Sequence, residues 1–331
     1  MLKISRTLFD HITEKDFVKF MFIDPEKIHK LSGNFFRRCL NHILPPTNKF
    51  LRETFNAVEN GKILAQISLI PDNFSNFRWQ FSSLKIRSGC EYIAKPLVDF
   101  VVSKYGGSGV STFLAYVDEN NDNVISLFKN QCGFRSCAKI DFFRITNLDS
   151  FVCDFNEANF KDFEKNDIIE ILEINTMNIF PHFRPSLISD LNDFKYEFLK
   201  QAKGDYLKVF VVNGTPEGYF RIYTNDKKNF FVDVITSKAY EHCYAEIISY
   251  IHSLLKDHRD FLSLTVFLKR YRETSQALEE CLVSAGYSFL STTHILVKDY
   301  WQKENQTEEK LFAFFNDLAT HGVLNICNTK E

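Results

Sequence analysis

Few residues in this sequence stand at a spacing that performs chemistry by itself. The eight cysteines, at 39, 90, 132, 137, 153, 243, 281 and 327, include no C-x-x-C pair, so neither a zinc site nor a dithiol redox motif is spelled out. Histidines 182, 242, 252 and 258 form no i, i+4 pair with a carboxylate motif, and no metal is expected. A Walker phosphate loop and a Gly-x-Ser-x-Gly elbow are both missing. Two short stretches remain. Asp118 and Glu119, in Asp118-Glu119-Asn120-Asn121-Asp122, are of the residue type that serves as a general base, and the same stretch reads equally well as a loop and cap for the next helix. Arg87-Ser88-Gly89-Cys90-Glu91-Tyr92 reads on its own as a strand-to-helix turn with an exposed arginine.

The elements that position these stretches occur twice. Asn60-Gly61 sits between the strand-like runs 55–58 and 62–70, and Asn213-Gly214 sits between 207–212 and 218–223, a hairpin signal repeated after 153 positions. Gly133-Phe134 and Gly286-Tyr287 each follow a helical run and precede a strand, again 153 positions apart. Acidic segments closing on Asp16 and Asp167, 151 positions apart, open amphipathic stretches. Three coincidences in register argue for duplication.

Each half predicts the same series. In the first, a strand over 2–8 leads to a helix from about 14 with Phe17, Phe20 and Met21 on one face, then a helix over 25–43 that stops before Pro45-Pro46. Strands at 54–59, 62–70 and 77–86, a helix over 91–104, a strand over 111–117, a helix over 121–131 and a final strand pair at 134–146 follow. The second half repeats this with helices at 167–179, 240–256 and 273–284, and strands at 206–212, 218–223, 229–235, 261–268 and 287–298. Polar residues 149–160 read as the linker, and a capped helix near 307–320 lies in the tail. Domains are therefore expected at 1–148 and 149–300, with a C-terminal helix and tail at 301–331.

Composition bounds the function. With 40 basic and 42 acidic side chains the formal charge is -2, which gives no field for nucleic acid or an anionic membrane surface. Lys3, Arg6, Asp10 and His11 interrupt the start, and the apolar run 93–102 contains Lys95 and Asp99, so neither a secretory leader nor a membrane span is expected. Free thiols fit a cytoplasmic location. The 35 phenylalanines are read as core volume.

The order β-α-α-β-β-β-α-β-α-β-β, with 77–86, the turn 87–92 and Asp118 through Phe134 in the first copy and Phe267 through Tyr287 in the second, resembles the GNAT (Gcn5-related N-acetyltransferase) superfamily. The resemblance implies an α/β fold of the α+β mixed-sheet kind, present as two tandem acyl-CoA N-acyltransferase folds. It implies acetyl-CoA or another acyl-CoA as co-substrate, a small-molecule or peptide amine as acceptor, and no metal. In such folds the central strands splay and the pantetheine arm lies beside them like an extra strand; here that places it along Leu84 and Ile86. The diphosphate then falls to Arg87, Ser88, Gly89, Cys90, Glu91 and Tyr92, with Asp122 at the next helix. Asp118 or Glu119 would be the base. Departures are plain: Cys90 and Tyr92 stand where the family turn has small residues, and Gly89 comes one place early. Four residues before Gly133 is Lys129, and before Gly286 is Leu282, so neither copy has the family's acid tyrosine. The second turn, Thr236-Ser237-Lys238-Ala239-Tyr240-Glu241, lacks both glycine and arginine. The alternative expectation is a catalytically inactive GNAT-like protein acting as a binding or scaffold protein, with a protein partner.

Overall fold

The Asn-Gly pairs set the first local structure. Asn60 and Gly61 have φ of 50° and 76°, and Asn213 and Gly214 have φ of 53° and 82°, the left-handed pair of a two-residue hairpin turn whose twist matches its strands. The computed structural model describes residues 2–7, 16–22, 52–72, 77–188, 191, 192, 194, 206–224 and 226–300. The helices expected at 25–43 and 307–320 lie outside the described residues.

The first repeat contributes β1 (Lys3–Thr7), β2 (Phe17–Met21), β3 (Glu53–Glu59), β4 (Lys62–Pro71) and β5 (Arg78–Arg87). Helix α1 (Ala94–Gly106), β6 (Thr112–Asp118), α2 (Asp122–Ser126) continued by a π-helical turn over Leu127–Gln131, and β7 (Arg135–Ile145) follow. The second contributes β8 (Phe160–Asp162), α3 (Ile168–Asn178), α4 (Arg184–Leu187), β9 (Tyr206–Val212), β10 (Thr215–Thr224) and β11 (Asn229–Thr236). It ends with α5 (Tyr244–Leu255), β12 (Ser263–Lys269), α6 (Ser275–Ser284) and β13 (Ser288–Asp299).

The thirteen strands of the described residues form one mixed sheet in the order β1-β3-β4-β5-β6-β13-β7-β12-β11-β10-β9-β8, with β2 attached to β5. Among the described strands only the β5–β6 and β11–β12 pairs are parallel. The strand pairs expected at 134–146 and 287–298 are instead single long strands, and they are exchanged: β13 lies between β6 and β7, and β7 lies between β13 and β12. Each repeat thus completes the other's sheet. Side chains fasten the exchange, with Lys298 Nζ donating to Cys132 O at 2.6 Å and to Asp99 at 3.2 Å.

Successive residues of a strand face opposite sides, and the core divides accordingly. On one face Phe113, Ala115 and Val117 of β6 meet Leu97, Val98 and Val101 of α1. Leu114 and Tyr116 point the other way, toward a cluster containing Phe267, Ile295 and Val297. In the second repeat α5 and α6 cover Val232 and Val234, while Ile171 and Ile174 of α3 cover Ile235. The phenylalanine excess goes into this volume: Phe22, Phe55, Phe81, Phe113, Phe128, Phe210, Phe220, Phe230 and Phe267 are all fully buried.

Residues 17–21 correct the sequence reading. The expected helix there is β2, paired antiparallel to β5 from Phe17↔Arg87 to Met21↔Ser83. A short helix is marginal in water, whereas Phe-Val-Lys-Phe-Met is β-prone and β5 offers a free row of backbone groups.

Candidate functional site

That free row exists because β5 and β6 part. They pair only at Arg78↔Thr112, Trp79↔Phe113 and Gln80↔Leu114. Counting on from the last pair puts Asp118 level with Leu84, across a gap. The gap holds β2. Phe22 N–H donates to Ser82 O at 3.1 Å and Ser88 N–H donates to Asp16 O at 3.0 Å. Backbone groups alternate sides along a strand, so this parity turns the main-chain groups of Leu84 and Ile86 toward Phe20 and Val18 of β2. The groups that the resemblance assigns to pantetheine are those that β2 uses.

The turn after β5 is occupied in a similar way. Cys90 N–H donates to Arg87 O at 2.9 Å and Gly89 has φ +80°, a type II turn that requires glycine at its third position. This explains why Gly89 stands one place early. A Cβ there would meet nothing within 4 Å, so the space above the turn is open. Gly89 N–H donates to the Glu91 carboxylate at 3.2 Å, and the Ser88 hydroxyl donates to Asp16 O at 3.2 Å. Arg87 lies 3.7 Å from the Asp16 carboxylate and 5.0 Å over the Phe17 ring. Tyr92 is 60% exposed and reaches away to Glu59 at 3.4 Å, so it does not fill the gap. The half-buried Cys90 packs against the first-repeat core.

At the far side of the gap, Asp118 Oδ1 accepts both the main-chain and side-chain N–H of Asn120 at 2.8 Å, a local turn. Glu119 sits 4.0 Å from Lys139 Nζ, and its N–H donates to Thr292 O at 2.9 Å. Asp122 opens α2, with Asn121 as its N-cap. Sequence reasoning missed His294: strand exchange pairs it with Val117 and Lys139, beside these acids. Burial, then Lys139, pushes its imidazole below the ordinary value, with Glu119 opposing. Nothing local could have signalled a second-repeat histidine at a first-repeat strand end. His182, by contrast, lies tilted against Phe183 at 3.9 Å in the turn before α4, four positions after Asn178 and far along the chain from the first gap.

The second repeat opens at the equivalent place. β11 and β12 pair from Asn229↔Ser263 to Val232↔Val266 and then part. This gap is filled by buried side chains. Arg272 Nη1 donates to Val234 O and to Asp233 Oδ1, both at 2.9 Å, and Asn178 Nδ2 donates to Thr236 O at 2.8 Å. Lys269 Nζ lies 3.0 Å from Asp233 Oδ2. Burial alone would raise the Asp233 pKa, but Arg272, Lys269 and Arg221 hold it well below the usual carboxylate range. The same burial, with Asp233 nearby, pushes the Tyr219 hydroxyl up to about 12. Beside the turn, α5 and α6 flank a cleft of about 390 Å³ lined by His242, Tyr244, Ala277 and Cys281 among others.

Among the described residues no group of three or more His, Cys, Asp or Glu could hold a metal, and no helix is long and apolar enough to cross a membrane. No family model and no curated protein matches the sequence. Solved structures do. A tandem GNAT protein from the clavulanic acid biosynthesis pathway is 11% identical with a TM-score of 0.50, over 87% of this chain and 99% of that one. A conserved protein of unknown function from Enterococcus faecalis V583 is 10% identical with a TM-score of 0.50, over 91% of this chain and 73% of that one. At such identity the likeness speaks for the fold, and it agrees with the two parting strand pairs: the chain has the GNAT N-acetyltransferase fold in tandem.

Proposed function

We propose that the chain is an acyl-CoA-dependent N-acyltransferase in which the first repeat, 1–148, takes the acyl-CoA and the second, 149–300, flanks the acceptor. The observation that carries this is the gap beyond Gln80 and Leu114. It admits an extended chain, as β2 demonstrates, and it is lined by the main-chain groups of Leu84 and Ile86. Acetyl-CoA or a longer acyl-CoA lays its amide-bearing arm along these groups. Its diphosphate meets Arg87 and the amides of Ser88, Gly89 and Cys90 at the start of the 3-10 turn that leads into α1. Glu91 and Tyr92 flank that position, and Asp122 faces it from α2. No metal takes part.

In the transfer, an amine nitrogen of a small molecule or peptide attacks the thioester carbonyl carbon. The N–C bond forms, the C–S bond breaks, and the electron pair leaves on sulfur. The amine proton goes to Asp118, which is level with Leu84, or to Glu119. A cytoplasmic location, where acyl-CoA is made, belongs to this reading.

One observation favours the second reading, a non-catalytic binding or scaffold protein with a protein partner. β2, Asp16 and Glu91 already hold the groups that CoA needs, and Lys129 is exposed where an acid tyrosine is expected. Thermal unfolding with acyl-CoAs separates the two. Acetyl-CoA at about 100 times its dissociation constant adds roughly 2.7 kcal/mol, and Arg87→Ala weakens binding about tenfold or more by removing a charge-assisted contact. No shift with acetyl-, succinyl- or longer acyl-CoA overturns the transferase reading; pull-down of a partner without CoA response supports the other.

A further inference from the structure

β2 has the position of an interior strand and the burial of a surface one. Ser83, Leu84, Lys85 and Ile86 of β5 are all buried, whereas the β2 residues opposite them include Val18 at 44% and Met21 at 39% exposure. Among the described residues its pairing is with β5 alone; β6, across the gap, pairs with β5 and β13. Lys19 stands directly opposite Lys85. The ends hold it: Ser88 N–H on Asp16 O at one, and at the other the buried Phe22, edge-on to Phe128 at 5.1 Å, with its carbonyl accepting from Gln80 at 3.2 Å. A segment bonded on one side and poorly buried belongs to the low-stability end of a structure.

We infer that β2 is an internal strap that competes with acyl-CoA for the first repeat's gap. The inference rests on the acyl-CoA reading of that gap. Strap and ligand need the same groups. The extended backbone of Val18 and Phe20 meets Leu84 and Ile86 where pantetheine amides bond. The Asp16 carboxylate stands 3.7 Å from Arg87, and the Glu91 carboxylate takes the Gly89 amide, in place of phosphate oxygens. The strap must leave before CoA enters, so the apparent affinity is lowered by the fraction of molecules with the strap out. Whatever draws residues 16–22 away raises CoA affinity, and whatever pins them closes the site.

The register supplies the test. Lys19 and Lys85 form a pair without mutual hydrogen bonds, since the even-numbered residues of β2 bond to β5. Such pairs have Cα atoms about 4.5 Å apart, within disulfide reach. Acetyl-CoA is titrated calorimetrically into the wild type, into K19C/K85C oxidised and reduced, and into F20P and V18P, which each lack an N–H facing β5. Wild type given the same oxidant controls for the native thiols. The oxidised double variant should lose binding and regain it on reduction, and the proline variants should bind about tenfold tighter than wild type. Equal binding by the oxidised and reduced forms overturns the strap and leaves the acyl-CoA site standing. Absence of binding in every form, the proline variants included, overturns both. Should the proline variants fail to fold, the locked and unlocked forms of one protein still decide.

Discussion

Beyond Gln80 in the first repeat and Val232 in the second, the two parallel strand pairs part at equivalent points, and different things lie in the two gaps. In the first it is a length of chain, hydrogen-bonded along one side and half exposed. In the second it is the Arg272–Asp233–Lys269 cluster with Asn178, every member of which is buried. The first filling touches the core only through Phe20 and Phe22, and the second is core throughout. On the proposed reading, a duplicated fold has kept one gap for a ligand and has turned the other into structure.

The largest expected effect lies in the second repeat. Asp233→Asn leaves Arg272 and Lys269 buried without their counter-charge, which should cost about 3–5 kcal/mol, read as a lowered urea midpoint with unchanged slope. Its first-repeat counterpart, Asp16→Asn, removes an exposed carboxylate near Arg87 and should move stability by no more than about 0.5 kcal/mol. Equal costs would break the comparison. Next comes Asn178→Ala, which strips the buried Thr236 carbonyl of its donor and should cost about 1–3 kcal/mol, with no effect on any CoA response.

A smaller, pH-dependent effect sharpens the same contrast. His252 lies between Leu148 O at 3.1 Å and Tyr287 Oη at 2.8 Å in the second-repeat core, and burial lowers its pKa. The folded state therefore prefers the neutral ring. Its contribution is fully present above the unfolded value of about 6.5 and is lost as pH falls from there toward the folded value. Thermal midpoints should drop between about pH 7.5 and 5.5, and His252→Gln should flatten that part of the profile, while Asp16→Asn leaves it unchanged.

How much of this could be read from sequence follows from the range of the interactions. The Asn-Gly hairpins and the glycines at 133 and 286, with φ of 71° and 84°, are local backbone demands and were legible. Residues 17–21 were not: Phe17, Phe20 and Met21 carry a helical spacing, and only the open side of β5, more than sixty positions away, makes them a strand. Exchange of β7 and β13 was equally invisible, because a repeat period of 153 fixes two copies and says nothing of which copy's strand pairs with which. Of the site, the Arg87–Tyr92 turn was located correctly as a turn, and the reason for Gly89 emerged with its type II geometry. Arg272 and Asn178 went unremarked, since their partners are main-chain carbonyls of another element.

Hydrogen exchange of the full chain with and without saturating acetyl-CoA bears most directly on the difference between the two gaps. The ligand should slow exchange over residues 82–92, speed it over 16–22, and leave 232–241 unchanged. Protection at 232–241 with 82–92 unaltered, or no change at either gap, would contradict the assignment of the first repeat as the one that opens.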